Sequence, residues 1–408
     1  MTALFDTVLR EPFRWLNRLF QGQREHDRRD GGQPAATYPD SGAALPAVLD
    51  DIRNRCTECG ACTKACAFLA RHGTAKAIAT GHDFSDPNHQ RIAYECSLCG
   101  LCAAVCPEGL DPGRLFLAIR CRHVAEGFFD AGPYRRLLRY ERYGCSPLFS
   151  WHGLPPGCDT VFFPGCALPG ARPEATMEIY RRLRRLLSTL GVVLDCCAKP
   201  SHDLGRAAHF GAIFGKMHAA LVAQGIRTVL TTCPNCTKIF RQYGEGLEVR
   251  TVWEVLHAGG AGPLGNRAGG IEVSVHDPCP LRDDRQVQAA IRGLLADLGY
   301  TVVAMPHQEN RTVCCGEGGA VGCIDPGLAE EWTGLRGREA ENRLLVTSCS
   351  GCVAALNRRT PTVHVADLLH RPEVVLSGKA QGARPPVTSW NRLVCKHRFK
   401  RMLRAERP

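Results

Sequence analysis

The sequence predicts a multidomain protein of mixed α and α/β class in which one unit occurs twice. Matching cysteines of the two units lie 113, 118 and 116 residues apart, from Cys166 to Cys279, from Cys196 to Cys314 and from Cys233 to Cys349. Within each unit, strand-like apolar runs alternate with helical stretches, which is typical of small parallel α/β sheets. A chain of 408 residues with 44% hydrophobic content has room for two to four domains.

The strand and helix signals place the cysteines of both units at similar points. Strands are predicted at residues 160–163, 192–194 and 229–232 in the first unit and at 271–275, 302–304 and 344–347 in the second. Helices are predicted at 174–190, 206–223 and 287–298, and residues 252–256 correspond to 365–369. Because parallel sheets place ligands at the carboxyl ends of their strands, we expect one site at that edge of each sheet.

A different cysteine pattern precedes the repeat. Two copies of Cys-x2-Cys-x2-Cys-x3-Cys, the second followed by Pro107, are typical of the ligands of a two-cluster ferredoxin. In such runs three neighbouring cysteines bind one [4Fe-4S] cube and the fourth reaches across to the other. Zinc is the alternative, but a duplicated run supplies more thiolates than zinc needs. The first cube is therefore assigned Cys56, Cys59, Cys62 and Cys106, and the second Cys96, Cys99, Cys102 and Cys66.

Each repeated unit carries five cysteines, including an adjacent Cys-Cys pair. A single zinc ion or cube uses four ligands, so a fifth implies a larger group or a bridging thiolate. The first set is Cys166, Cys196, Cys197, Cys233 and Cys236, and the second is Cys279, Cys314, Cys315, Cys349 and Cys352.

These motifs over residues 50–375 resemble the CCG domains of heterodisulfide reductase and its relatives, which include the iron–sulfur subunits of glycolate oxidase and anaerobic glycerol-3-phosphate dehydrogenase. The resemblance implies an α-helical dicluster ferredoxin domain followed by two duplicated α/β CCG domains. It also implies a noncubane [4Fe-4S] cluster on one or both five-cysteine sets. The second unit fits better through Cys314-Cys315-Gly316, whereas the first has Cys196-Cys197-Ala198.

The predicted organisation has five parts. Residues 2–20 carry an apolar stripe on half of a helical wheel, interrupted by Pro12, and a polar linker follows them. This helix could lie in a membrane interface, dock on a partner subunit or fold onto its own core. The parts are an amphipathic helix and linker at 1–46, the ferredoxin domain and connector at 47–150, CCG domains at 151–265 and 266–376, and a basic tail at 377–408.

Three further residues could take part at these sites. His276, His202 and Glu317 lie near cluster cysteines in the sequence and could donate protons, or they could be ordinary loop residues. The remaining cysteines are expected to be small buried hydrophobic residues rather than ligands, namely Cys121, Cys145, Cys158, Cys323 and Cys395.

Composition excludes several classes of protein. The charge of +11 comes with no nucleic-acid-binding motif, so nucleic acid is not an expected partner. Twenty-three cysteines in metal-ligand spacings indicate a reducing compartment, and the sequence shows neither a membrane span nor a signal peptide. We expect a cytoplasmic protein, peripheral on the cytoplasmic membrane face if residues 2–20 bind lipid.

Three functions remain open from the sequence. The chain lacks the glycine-rich motifs that bind flavin, nicotinamide or nucleotide, so its electrons come from redox partners such as a flavoprotein, a hydrogenase-type subunit or a membrane cytochrome. It is either a catalytic subunit of a heterodisulfide-reductase-like complex that cleaves a disulfide on its clusters, or a non-catalytic carrier from a flavin hydroxyacid or glycerol-phosphate dehydrogenase to quinone. The third possibility is a binding or assembly module, which the complete cysteine sets disfavour.

Overall fold

The computed structural model describes residues 44–259, 268–376 and 382–405. All of these residues belong to one compact unit, which lies within Tyr38–Pro408. The amphipathic segment 2–20 lies outside the described residues, so its prediction stays a prediction. None of the described helices is both long and apolar enough to cross a membrane.

The segment that holds the two cysteine runs is helical. Its longest helix begins where Asp111 accepts a hydrogen bond from the Gly113 amide at 2.9 Å and Pro112 takes the first helical position. Phe116 and Ile119 of that helix are buried with Leu45 and Ile52 of the first. The helices are α1 Leu45–Arg55, α2 Ala61–Ala65, α3 Ala67–His72, α4 Ala75–Gly81, α5 Pro87–Arg91, α6 Leu101–Ala104, α7 Pro112–Ala125 and α8 Arg135–Gly144.

The first repeated unit is built on a five-stranded sheet of order β1-β3-β2-β4-β5. Four strands are parallel, and β1 pairs with β3 in the antiparallel sense at the edge. The strands are β1 Trp151–Gly153, β2 Thr160–Phe163, β3 Gly191–Leu194, β4 Thr228–Thr231 and β5 Glu248–Thr251. The helices are α9 Ala167–Ala171, α10 Pro173–Leu186, α11 Lys199–Asp203, α12 Ala207–Ala223, α13 Pro234–Tyr243 and α14 Val252–Ala258.

The second unit repeats this arrangement without the antiparallel strand. Its sheet has the order β7-β6-β8-β9 and is parallel throughout, which is the order β3-β2-β4-β5 of the first sheet. The strands are β6 Glu272–Val275, β7 Thr301–Val302, β8 Leu344–Thr347 and β9 Thr362–His364. The helices are α15 Arg285–Asp297, α16 Pro326–Ala340, α17 Ser350–Leu356, α18 Val365–His370 and α19 Pro372–Leu376.

The predicted elements are present with small shifts in their ends. The helix predicted at 174–190 ends at Leu186, because the chain must turn before Gly191, where β3 begins to pair with β2. The strand predicted at 302–304 is the two-residue β7, although the Val303 amide still donates to the Val273 carbonyl at 2.8 Å. The α/β class of the repeated part is confirmed.

One buried arginine ties the helical segment to both repeated units. Arg120 of α7 is fully buried and donates to the carbonyls of Ala93 and Cys96 in its own segment. The same guanidinium donates to the carbonyl of Asp203 in the first unit at 2.6 Å and to that of Gly319 in the second at 3.1 Å. Five fixed donors suit a residue that must satisfy several carbonyls at once. Arg120 therefore fixes the three parts relative to one another.

The stretch expected to be a basic tail is instead a packed helix, α20 Val387–Ala405. Cys395 and Phe399 are completely buried against the first unit, where Phe399 packs edge-on against Tyr180 with ring centroids 5.1 Å apart. The Lys396 ammonium donates to three carbonyls of residues 147–150. The prediction of a tail was wrong because the many Lys and Arg residues conceal an apolar stripe.

Candidate iron–sulfur sites

The eight cysteines of the helical segment come together as two separate groups of four. One cavity is lined by Cys56, Cys59, Cys62 and Cys106, and another by Cys66, Cys96, Cys99 and Cys102. The last cysteine of each run therefore joins the other run's first three. Cys59 is exposed whereas Cys96 and Cys102 are buried, so the first group faces outward and the second inward.

The backbone follows the same path around both groups. Glu58 and Leu98, which precede the second cysteine of each run, both adopt left-handed conformations with φ of 53° and 50°. The Leu98 amide donates to the Cys96 sulfur at 3.4 Å. Such turns direct backbone amides toward sulfur, as iron–sulfur ligand loops do.

The first five-cysteine set lies at the carboxyl edge of the first sheet, as predicted. Cys166 follows β2, Cys196 and Cys197 follow β3, and Cys233 and Cys236 lie at the start of α13 after β4. The Cys236 thiol donates to the Cys197 sulfur at 3.4 Å. Interaction with the Cys236 side chain lowers the pKa of Cys233 to about 7, so this thiol ionises readily.

The second set forms a continuous chain of thiols. Cys279 interacts with Cys314, Cys314 with Cys315, Cys315 with Cys352, and Cys352 with Cys349. Hydrogen bonds from Cys279 and Cys315 hold the pKa of Cys314 well below its usual range. Asp277 braces the surrounding loops, because it accepts two bonds from Arg292 at 2.8 and 2.9 Å and one from the Glu309 amide.

His276 directs an imidazole into this second set. It lies within 4.8 Å of the Cys315 and Cys352 sulfurs, and neither ring nitrogen has a hydrogen-bond partner although the residue is 1% exposed. Burial lowers the pKa of His276 to about 3, so the ring is neutral at physiological pH. Buried polar atoms normally have hydrogen-bond partners, so these two nitrogens beside two thiols indicate a site for a bound group.

The second set adjoins the inner ferredoxin group. A Cβ added at Gly318 would lie 2.6 Å from the Ser97 carbonyl oxygen and 3.2 Å from the Cys314 sulfur. Burial, followed by the nearby Cys314, raises the pKa of Cys99 to about 12. The structure thus orders the thiol groups from the outer ferredoxin group to the inner one and then to the second set.

Charged side chains lie between the two five-cysteine sets. The Glu317 carboxylate acts electrostatically on both Cys233 of the first set and Cys315 of the second. Lys199 pairs with Asp203. Burial opposes the charge on Lys199, yet Asp203 and Glu317 raise its pKa, so the ammonium stays charged beside both sets.

A cleft of about 900 Å³ opens onto the second set and the inner ferredoxin group. Its wall includes Cys279 and Cys99, and His202 and Lys238 of the first unit face them. His202 is held by Asp203 at 3.0 Å and by the Tyr243 hydroxyl at 2.8 Å. Of the three further residues that the sequence suggested, His202 therefore lies on the cleft, His276 in the second set, and Glu317 between the sets.

The remaining cysteines divide into three cases. Cys121, Cys158 and Cys395 are buried, as predicted. The prediction was wrong for Cys323, which is exposed on the loop before α16, and for Cys145, whose thiol interacts with Cys196. Tyr140, at hydrogen-bonding reach of Cys166, and Arg392 of α20 also border the first set. Sequence spacing could not identify Cys145, Tyr140 and Arg392, since they belong to the connector and the C-terminal helix rather than to the repeated motif.

The donor sets fit iron–sulfur groups. All cysteines of the described residues are free thiols, although many lie side by side. Four thiolates around a cavity match a cube, and soft thiolate sets select iron–sulfur clusters or zinc. His276 adds two buried ring nitrogens without hydrogen-bond partners beside the thiols of the second set.

Comparison with known proteins agrees with these sites. Residues 55–111 match the 4Fe-4S dicluster domain, and residues 160–241 and 273–357 match the cysteine-rich domain. The chain is therefore an iron–sulfur protein with a 4Fe-4S dicluster domain followed by two cysteine-rich domains. The resemblance inferred from sequence is confirmed.

Curated relatives are components of redox complexes. One component of the fumarate reductase (CoM/CoB) of Methanothermobacter marburgensis is 28% identical over 64% of this chain, which spans 55% of that protein. A component of the dihydromethanophenazine:CoB–CoM heterodisulfide reductase of Methanosarcina mazei is 25% identical over 67% of this chain and 80% of its own length. The glycolate oxidase iron-sulfur subunit of Escherichia coli is 21% identical over 74% and 89%.

Proposed function

We propose that this chain is the catalytic iron–sulfur subunit of a heterodisulfide-reductase-like complex and that a disulfide or related substrate reacts at the second five-cysteine set. The observation that carries the proposal is the cleft, whose wall contains Cys279 of the second set together with Cys99 of the inner ferredoxin group. A substrate in the cleft would meet the end of the electron path. The similarity to the heterodisulfide reductase component supports this interpretation.

The assigned ligands follow from the grouping of the thiols. We assign Cys56, Cys59, Cys62 and Cys106 to an outer cube and Cys66, Cys96, Cys99 and Cys102 to an inner one. We assign a noncubane [4Fe-4S] group to each five-cysteine set. Such groups supply electrons one at a time, and two electrons are needed to reduce a disulfide.

The chain's own residues position the substrate and its charges. Lys238, Arg114 and Arg285 line the cleft together with Asp111, Asp283 and Asp284, so a substrate there meets charges of both signs. Lys199 keeps a positive charge beside both cysteine sets, which offsets the negative charge that accumulates on reduction. His276 is neutral and can donate one hydrogen bond to sulfur at the second set.

The partners and the cellular location also belong to the proposal. The described residues carry no flavin or nucleotide motif, so a flavoprotein, hydrogenase-type subunit or membrane cytochrome supplies the electrons. The exposed outer group at Cys59 is the natural entry point. Residues 2–20 would attach the protein to a partner subunit or to the cytoplasmic face of the membrane.

Anaerobic iron analysis with EPR spectroscopy tests the proposal. Four groups of four predict about sixteen irons per chain in the wild type. The variants Cys197→Ser and Cys315→Ser should each remove a signal distinct from the ferredoxin cubes. A small disulfide added to the oxidised protein should perturb only the signal that Cys315→Ser abolishes.

Two results would contradict a catalytic role. About eight irons after anaerobic reconstitution would leave only the ferredoxin cubes. The second result is a protein with the full set of about sixteen irons whose EPR signals do not respond to disulfides but which quinone oxidises through a partner subunit. That result would favour an electron-transfer subunit, which the similarity to the glycolate oxidase subunit also allows.

The assignment of Cys102 to the inner cube has its own test. Replacing Cys102 with Ser should remove the inner cube, about four irons, while leaving the outer cube and the two repeated units in place. Cys158→Ser is the matched control, because the Cys158 thiol is buried in the first unit and donates to the Thr160 carbonyl at 3.0 Å. An unchanged iron content in Cys102→Ser would refute the assignment.

A further inference from the structure

The connector helix α8 ends against the first five-cysteine set. Gly144 is so close to Cys196 that an added Cβ would lie 3.0 Å from the Cys196 Cβ and 3.5 Å from its sulfur. The next residue, Cys145, places its thiol in contact with that of Cys196. One turn earlier, Tyr140 reaches Cys166 of the same set.

The C-terminal helix holds this helix end in place. The Arg392 guanidinium donates to the Gly144 carbonyl at 3.5 Å and lies over the Tyr140 and Phe149 rings at 5.6 and 4.7 Å. Cys145 is thus presented to the first set by two elements that lie outside the repeated unit. Its surroundings differ from those of Cys158 and Cys395, whose thiols face backbone carbonyls.

The two sets consequently differ in their sixth group. His276, three residues before Cys279, corresponds to Phe163, three residues before Cys166. The second set therefore gains an imidazole where the first has a buried apolar ring, and the first gains a thiol from the connector. The cleft wall contains Cys279 of the second set but no cysteine of the first.

We propose that Cys145 is a sixth thiolate ligand of the iron–sulfur group at the first set and that it closes this site to external ligands. On binding, the Cys145 S–H bond breaks, its proton passes to solvent, and the sulfur forms a coordinate bond to iron without any change of oxidation state. The first set then stores electrons, and only the second set binds substrate. This inference rests on the iron–sulfur groups of the proposed function.

Alkylation of the intact holoprotein tests the ligand role directly. With iodoacetamide and mass spectrometry under anaerobic conditions, the exposed Cys323 should be modified readily while Cys145, which is only partly buried, stays unmodified. Mild chelation of iron should then make Cys145 reactive before the buried Cys158. Modification of Cys145 at the rate of Cys323 in the iron-loaded protein would overturn the proposal.

A spectroscopic experiment tests the closure. The signal lost in Cys197→Ser but kept in Cys315→Ser belongs to the first set. In Cys145→Ser this signal should shift and should respond to added cyanide, whereas in the wild type and in Cys158→Ser it should not. An unshifted signal in Cys145→Ser, or a wild-type signal that responds to cyanide, would refute the sixth ligand. Neither readout uses a disulfide, so the proposed reaction can fail while this assignment stands.

Discussion

Ala198 and Gly316 occupy the same place in the two repeated units, directly after the Cys-Cys pair, and both are left-handed. Their φ angles are 53° and 88°. At Gly316 an added Cβ would lie 2.4 Å from the Ala329 carbonyl, so only glycine fits. At Ala198 the backbone tolerates a side chain but still carries the cost of a conformation that L residues avoid. The first unit therefore has alanine in place of the glycine of Cys-Cys-Gly but keeps the left-handed backbone conformation.

This pair gives different predictions for the two units. Ala198→Gly should leave the free energy of unfolding within about 1 kcal/mol of the wild type, because relief of the left-handed strain is offset by the loss of a fully buried methyl group and by the greater entropy of glycine in the unfolded chain. Gly316→Ala should destabilise it by more than about 1 kcal/mol, since the Ala329 carbonyl must move. Anaerobic urea denaturation of both variants measures the difference, and equal midpoints would contradict the shared backbone.

The pair of Lys199 and Asp203 makes a second prediction. The Lys199 ammonium holds the pKa of Asp203 far below its usual range against the opposing effect of burial. Asp203→Asn leaves a charge with little access to solvent and should destabilise the protein by about 3 kcal/mol. Since a lowered pKa gives stability that is lost only as pH falls toward it, the loss should be equal at pH 6 and pH 8. A loss that grows between these two values would contradict this account.

At this scale the cysteine spacing predicts which thiols lie together in the ferredoxin segment. The Cys-x2-Cys runs sort into two groups of four because their short loops leave few alternatives. Cys145 and Arg392 could not be found in this way, since their contact with the first set depends on how the connector and the C-terminal helix pack. Cys323 shows the converse, because an unassigned cysteine need not be buried.

Among the elements, α20 departs most from expectation. Its Lys and Arg residues dominate the composition, but Phe399 is completely buried and Trp390 is 68% exposed on the same helix. The apolar side of α20 is buried because it packs on α9, α10 and β1. This packing between distant parts of the chain cannot be predicted from a single sequence. The alternating strands and helices of the repeat were predictable because each carries its own period.

Substitutions in α20 test its role. Phe399→Ala should destabilise the protein by about 3 to 5 kcal/mol, because it opens a cavity beside Tyr180 and Phe162. Trp390→Ala, on the exposed side, should leave the denaturation midpoint unchanged. Similar effects of the two substitutions would mean that the helix is not docked in solution.

On the scale of the whole molecule, the loop after Cys315 forms the contact between the second unit and the ferredoxin segment. Gly318 lies against the Ser97 carbonyl, and the neighbouring Gly319 carbonyl accepts from Arg120. The duplication was predictable from matching cysteine intervals. The apposition of the second set, rather than the first, to the inner ferredoxin group was not, because it depends on contacts between domains.

Widening this junction should slow electron transfer without loss of iron. In Gly318→Ala the new methyl group meets the Ser97 carbonyl at 2.6 Å, so the two domains must separate slightly. Reduction of the second set should be severalfold slower in freeze-quench EPR after dithionite is added. Gly322→Ala is the control, since its methyl group would make only ordinary contact with Ala329 at 3.5 Å. Equal rates in the two variants would place the path elsewhere.

The return of α20 to the first unit has a consequence for biogenesis. Proteins begin to fold from the N-terminus during synthesis, yet the first unit here lacks one wall until residues 387–405 are made. The second unit needs no such late element, because α20 packs on α9, α10 and β1. We therefore expect the two repeats to complete their folds in the reverse of their order in the gene, with the earlier repeat completed last.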